Sequence, residues 1–167
     1  MVAWYLFERD DVRARFLDGG EETQFAILDE ILRLEPVAAM VHRRSSEDAP
    51  ADAGSALRAG GRYAIDIRAV NTDKAAVGAC PFALDPDRAA GGRLAATHLS
   101  FGDGAHRCPG ASVALHETRV FIDRLMRVPG LRLERAPDMR WNQALASYEL
   151  RNAVVSCDLT RDLDRSA

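Results

Sequence analysis

Phe101-Gly102-Asp103-Gly104-Ala105-His106-Arg107-Cys108-Pro109-Gly110 is the stretch on which the reading of this 167-residue chain turns. Gly102 and Gly104 stand two apart and permit backbone angles closed to other residues, so the main chain can lie close against a flat partner. Cys108 immediately precedes Pro109, and proline is favoured at the first position of a helix. The residues after it are helical in pattern. Ala111, Ala114, Leu115, Thr118, Phe121, Ile122 and Leu125 keep three- and four-residue spacing until Pro129-Gly130 stops them. A helix over about 110–128 is predicted, with the Cys108 thiol at its positive end. Helix N-termini favour thiolate, the form that ligates metal. His106 and Arg107 add donors or positive charge for anionic groups. The plainer alternative is a buried structural cysteine beside a glycine turn.

Outward from the loop, residues 71–100 contain Pro81, Pro86, Gly91 and Gly92 without sustained periodicity, and so long an irregular stretch is uncommon unless it wraps something functional. Before it, Tyr63, Ile65 and Ile67 alternate with Ala64, Asp66 and Arg68, the period of a half-buried strand. Residues 49–61 read as a loop or hairpin turn. Ile27, Leu28, Ile31 and Leu34 predict a helix over about 23–35 with Thr23 as N-cap candidate and Pro36 as its stop. Val2 to Phe7 reads as the end of a helix, and Asp10 as the N-cap of a short one through Leu17, closed by Gly19-Gly20. Beyond the cysteine helix, Arg151-Asn152 between apolar pairs predicts a terminal β-hairpin over about 145–156. The fold class is mainly α with small β elements.

Composition narrows the class without naming a chemistry. Apolar residues make up 47% and charged residues 28%, which excludes a disordered tail or a bundle of membrane spans. With 22 basic and 25 acidic residues there is no electrostatic case for nucleic acid. The apolar run Val2–Phe7 is far shorter than the ~20 residues a membrane helix needs. Cys80, Cys108 and Cys157 form no CxxC pair, so a cytoplasmic setting is expected.

The cysteine loop resembles the haem-ligating signature FGxGxHxCxG of the cytochrome P-450 family, with every specified position matched, and Ala114 fills the small-residue position after it. The resemblance implies haem b (iron protoporphyrin IX) with Cys108 as axial ligand, Phe101 packed beside the sulfur, Gly102 and Gly110 among the loop glycines that shield it and supply amides toward it, and His106 at a propionate. Glu30 and Arg33, three apart on one helix face, resemble the family's ExxR helix. Arg88 in Asp85-Pro86-Asp87-Arg88 would be the third member of a buried structural network, although Leu84 stands where an aromatic is common. Arg43 sits where the family carries a propionate-binding arginine, with adjacent Arg44 as the alternative for that one position and a solvated basic pair as the plainer reading. Asn71 and Asp73 fall in a segment like the family's stretch after the strand. Zinc held by His98, His106, Cys108 and His116 is the competing metal reading, at spacings that match no common zinc pattern.

The resemblance also departs from the family. Arg58 stands where proline is usual, and Asp66 and Arg68 are more polar than a typical family strand. The chain corresponds to the C-terminal part of the fold, with Val2 to Phe7 like the last turns of the oxygen-activating helix, so no residue is assigned a catalytic role. Gly19-Gly20-Glu21-Glu22-Thr23 imitates that helix's motif, but Thr23 precedes Glu30 by only seven residues. The implied function is the haem-binding part of a monooxygenase inserting one atom of O2 into a small organic substrate. A ferredoxin-like or flavodoxin-like donor would supply electrons, and Arg107, Arg119, Arg124 and Arg127 would be either its docking surface or a solvated helix face. The alternative is a non-catalytic haem-binding remnant, or a half-enzyme needing a separate N-terminal chain.

Overall fold

A computed structural model describes residues 1–50, 56–88, 98–143 and 146–158. The chain opens with helices α1 (Val2–Glu8), α2 (Asp10–Asp18) and α3 (Glu21–Leu34). Two caps differ from expectation. Arg9 and Gly20, not Asp10 and Thr23, hold the N-cap positions, and Asp10, Asp11, Glu21 and Glu22 fill the first turns instead. Carboxylates there face the positive helix end, which favours starting each helix early. Gly19 is required between α2 and α3, because a Cβ on it would lie 2.7 Å from the Arg15 carbonyl and 2.7 Å from Thr23 Cβ. Helix α3 ends at Leu34, ahead of Pro36, because the residue before proline avoids helical angles.

The main core forms where these helices meet α6 (Ala111–Met126). Leu6, Phe16, Ile27 and Leu28 are fully buried, and Ile122, Met126 and Leu131 close the cluster from the C-terminal side. Each such side chain stabilises by about 1.5–3 kcal/mol relative to exposure. Helix α6 is shorter than predicted at both ends. Of its predicted apolar stripe Ile122 is buried and Leu115 and Leu125 pack against the core, whereas Phe121 is 63% exposed; Val113 and Val120, off that stripe, are 57% and 47% exposed.

Strand β1 (Met40–Arg44) pairs antiparallel with β2 (Arg62–Asp66), Arg43 opposite Tyr63. The alternation expected through Ile67 stops at Asp66. Its carboxylate accepts from the Ala69 amide at 2.9 Å and caps the short helix α4 (Ile67–Asn71), so buried Ile67 belongs to a helix. The polar Asp66 and Arg68 are thereby explained: one is a cap, the other reaches Glu35 at 3.4 Å. Arg58, the residue in place of proline, sits 3.6 Å from Asp48 on the surface. Helix α5 (Lys74–Val77) comes next, capped by Asp73.

The predicted terminal hairpin is corrected. Among the described residues, β5 (Ser147–Arg151) pairs with β4 (Asp138–Asn142), and β6 (Val154–Ser156) pairs with β3 (Arg132–Arg135). Asn152 takes the left-handed φ of 60°, and there the chain passes from one ribbon to the next. Asn152 fixes that crossing by donating to the Asp138 carboxylate at 2.7 Å. Leu145, and Gly91 and Gly92 of the irregular stretch, lie outside the described residues. Among the described residues no helix is long and apolar enough to cross a membrane.

Candidate functional site

Glu30 and Arg33 lie one helical turn apart on the face of α3 that is turned away from water, with side chains 6% exposed. Arg33 grips the Glu30 carboxylate in a fork, Nε to Oε2 and Nη2 to Oε1, both at 2.7 Å. The Asp85 amide at 3.1 Å and Arg88 Nε at 3.0 Å donate to the same Oε1. Burial pushes the Glu30 carboxyl up, but the hydrogen bonds from Arg33, Asp85 and Arg88 together outweigh it and hold it below its ordinary value. The remaining guanidinium protons are spent on main chain. Arg33 donates to the Asn71, Pro81 and Ala83 carbonyls, and Arg88 to those of Val77, Cys80 and Ala83. Two charged side chains thus hold an irregular segment that has few backbone partners of its own. Leu84, in the place of an aromatic, packs against the hydrophobic core.

The cysteine loop is rooted on the same helix. A short 3-10 turn, Leu99–Phe101, precedes it and a second, Gly104–His106, lies within it. The Cys108 amide donates to the Phe101 carbonyl at 2.7 Å, closing the loop on itself. Gly102 at φ 70° and Gly104 at φ 60° take the left-handed conformations that the glycine spacing predicts. At Gly102 a Cβ would also meet the His106 carbonyl at 3.1 Å. Cys108 is exposed, two residues ahead of Gly110, the N-cap of α6.

The other predicted residues are distributed around this loop. Phe101 is half-buried with its ring 6.1 Å from that of His98, while His106 and Ala114 are exposed. Arg43 and Arg44 are both exposed on β1, where successive side chains point to opposite faces, so only one of them can serve a given side. Arg107 and Arg124 are exposed. Arg119 is not a free surface cation: it bonds Gln24 at 3.2 Å, approaches Glu21 at 3.4 Å and lies over the Phe25 ring. Arg127 is tied to Asp123 and to the Leu17 carbonyl.

Sequence reasoning undervalues the residues at the loop's root. Asn71, 2% exposed, donates to the Arg33 carbonyl at 3.1 Å and to Ser100 Oγ at 3.0 Å, and accepts from the Leu99 amide at 2.7 Å. Ser100 Oγ in turn donates to the Leu32 carbonyl at 2.7 Å. His98 Nδ1 accepts from the Ser100 amide at 3.3 Å while its Nε2 faces Asp29 at 3.5 Å. His98 is therefore a cap on the turn, and His116 turns toward Glu21 and the Ser112 carbonyl. Neither converges on Cys108, and among the described residues no group of three or more His, Cys, Asp or Glu could hold a metal ion. A cavity of about 470 Å³ lined by Trp4, Tyr5, Glu35, Arg68 and Tyr148 lies apart from the loop. There the Glu35 carboxylate accepts from the Tyr5 hydroxyl, whose pKa is pushed up to about 12 by burial and by that carboxylate.

A fork-paired Glu-x-x-Arg, a third arginine on the same carboxylate and a glycine loop presenting one cysteine form a recognisable set. The family model described as Cytochrome P450 matches residues 25–136. The chain belongs to the cytochrome P450 family. It is 32% identical over 147 residues to the mycinamicin IV hydroxylase/epoxidase of Micromonospora griseorubida, covering 85% of this chain and 35% of that protein. It is 30% identical over 140 residues to cytochrome P450 165B3 of Amycolatopsis orientalis, covering 83% and 34%. The solved structure of P450BioI in complex with an acyl carrier protein ligated to hexadec-9Z-enoic acid superposes with a TM-score of 0.76 at 25% identity, over 94% of this chain and 39% of that one. This P450 chain spans about a third of the length of the curated relatives it matches.

Membership of the family implies a haem cofactor, and the residues of the loop fit one. Cys108 offers an exposed sulfur, the donor type that suits a thiolate-ligated iron. Gly110 has φ −92°, which any residue can adopt, and a Cβ there would meet nothing of this chain nearer than Cys108 Sγ at 4.0 Å. That position is open beside the sulfur.

Proposed function

We propose that this chain is the haem-binding part of a cytochrome P450 monooxygenase that inserts one oxygen atom of O2 into a small organic substrate. The observation that carries this reading is the exposed Cys108 thiol at the end of a loop closed from Phe101 and rooted on the helix of the Glu30–Arg33 pair. Haem b, when bound, supplies the redox chemistry of oxygen activation, and a thiolate ligand favours O–O cleavage. The chain's own work is to hold it. Cys108 would ligate the iron, Phe101 and the loop glycines Gly102 and Gly110 would shield the sulfur, and Ala114 would supply the small residue on the first turn of α6. His106 and one of Arg43 or Arg44 neutralise the propionates. Glu30, Arg33 and Arg88 keep the segment beneath the loop in place. Electrons come from a ferredoxin-like or flavodoxin-like donor in the cytoplasm, and the second oxygen atom leaves as water.

A second reading is favoured by the exposed Val113, Val120 and Phe121 of α6. Apolar side chains left exposed on one helix fit a surface that other polypeptide covers. On that reading the chain binds haem but oxidises nothing unless a separate N-terminal polypeptide is added. One experiment addresses the shared core of both. The haem-loaded protein is reduced, exposed to carbon monoxide and its Soret band recorded. A strongly red-shifted band is expected in the wild type and its loss in Cys108→Ser. An unshifted band in the wild type, or a shifted band that survives Cys108→Ser, refutes thiolate ligation by this residue.

A further inference from the structure

Helix ends leave their last carbonyls without intrahelical donors. In α3 two of these, Leu32 and Arg33, are capped by side chains from distant parts of the chain, Ser100 Oγ and Asn71 Nδ2. Both caps meet at Asn71. Its main-chain carbonyl accepts from Arg33 Nη1 at 2.8 Å, so the Glu30–Arg33 pair fixes its backbone. Its side-chain amide bonds Ser100 Oγ and the Leu99 amide, so it fixes the turn from which the cysteine loop springs. From that turn Phe101 presents the carbonyl that receives the Cys108 amide. Every polar atom of the Asn71 side chain is thus committed, in a position 2% exposed to solvent. A buried network with all members satisfied holds one geometry, whereas a partly satisfied one does not.

We propose that Asn71 is a positioning residue for Cys108: it couples the Glu30–Arg33–Arg88 network to the ligand loop and sets the loop's conformation before any haem arrives. The proposal rests on the reading of Cys108 as ligand for its consequence, though not for its geometry. The Asn71 amide is a planar bridge with donors on one side and an acceptor on the other. Alanine removes both, and aspartate keeps only the acceptor.

The test has one arm without haem and one with it. In the haem-free chain, amide hydrogen exchange is followed at Leu99 and Cys108, with Leu28 and Ile31 as reporters of the core. Asn71→Ala is expected to speed exchange at Leu99 by about tenfold, the effect of one lost buried hydrogen bond. Cys108 should accelerate in parallel while the core amides stay protected. In the haem-loaded protein, the same variant should move part of the ferrous–CO Soret band from the thiolate position to that of a displaced ligand, at unchanged haem content. If Asn71→Ala fails to fold, Ser100→Ala carries the test, with the same direction and a smaller effect, and Ser100→Thr should restore the wild-type values. Faster exchange at Leu99 with Cys108 and the CO band unchanged overturns the proposal, since Asn71 would then be merely structural. A wild type without a thiolate-type band overturns the haem reading instead, and the exchange arm still decides the role of Asn71.

Discussion

Replacing Glu30 by Gln keeps the shape of the side chain and removes its charge, which isolates what the carboxylate does. In the wild type both oxygens are engaged, one by Arg33 Nε and the other by Arg33 Nη2, Arg88 Nε and the Asp85 amide. Glutamine keeps one acceptor oxygen but turns an NH2 group toward a guanidinium that can only donate. Arg33 cannot escape, because its remaining protons hold the Asn71, Pro81 and Ala83 carbonyls and its side chain is 6% exposed. The stranded cation makes the loss large. Breaking a buried ion pair from one side costs about 3–5 kcal/mol. At about 2–4 °C per kcal/mol for a chain of this size, the melting temperature should fall by roughly 6–20 °C. Urea unfolding of the haem-free chain, followed by circular dichroism, measures it directly. Two controls sharpen the result. Asp11→Asn removes the partner of Arg9 in a pair 48% and 68% exposed, together with one first-turn charge of α2, and should cost under about 1 kcal/mol. Glu30→Asp keeps a negative charge facing Arg33 and Arg88 and should lose less than Glu30→Gln, because neither guanidinium is then left without a counter-ion. A loss under about 1 kcal/mol for Glu30→Gln, with an unchanged urea slope, refutes the reasoning.

The same carboxylate governs acid sensitivity. Its folded pKa lies below the ordinary 4.5, so its stabilisation is fully present above that value and drains away as pH falls toward the folded one; stability measured downward from pH 5 should fall more steeply in wild type than in Glu30→Gln, and parallel curves count against it. Gly102→Ala should cost about 1–3 kcal/mol from its positive φ, plus a further penalty from the His106 carbonyl at 3.1 Å, whereas Gly104→Ala, with open space around it, should show the φ cost alone; equal losses in thermal melts would remove the steric argument. Asp66→Ala should cost about 1 kcal/mol and raise amide exchange at Ala69, because the cap on α4 is gone; unchanged exchange at Ala69 would show the cap to be idle.

The parts of this fold that can be read from the sequence are those written in contiguous residues. The Gly102–Gly110 spacing, the i,i+3 pair Glu30–Arg33 and the apolar periodicity of α3 and α6 each state their own geometry over ten residues or so. Most of the readings that fail depend on partners elsewhere. Arg151-Asn152 announces a turn, but nothing near it says that β5 pairs backward with Asp138–Asn142 and β6 with Arg132–Arg135. Ile67 fits the alternation of Tyr63 and Ile65, yet the Asp66 cap, a local competitor, starts a helix there. Phe121 falls on the apolar stripe of α6 yet is exposed, because periodicity reports a face and not what covers it. Asn71 is visible as a residue of the family's segment, but its bonds run 28 and 38 positions along the chain, to Leu99 and to Arg33. His98 is a candidate zinc ligand by residue type, and only its place in the fold makes it a turn cap. A local signal does exist: a histidine two residues before a serine at a 3-10 turn can receive that serine's amide.

The capping of α3 by Ser100 has a consequence for the order in which the molecule assembles. Leu32 leaves the ribosome 68 residues before the hydroxyl that will close its carbonyl. At about 5–20 residues per second, the end of that helix waits roughly 3–14 s with only water to satisfy it. That carbonyl therefore gains its native partner only once residue 100 has emerged, together with the cysteine loop that follows within ten residues.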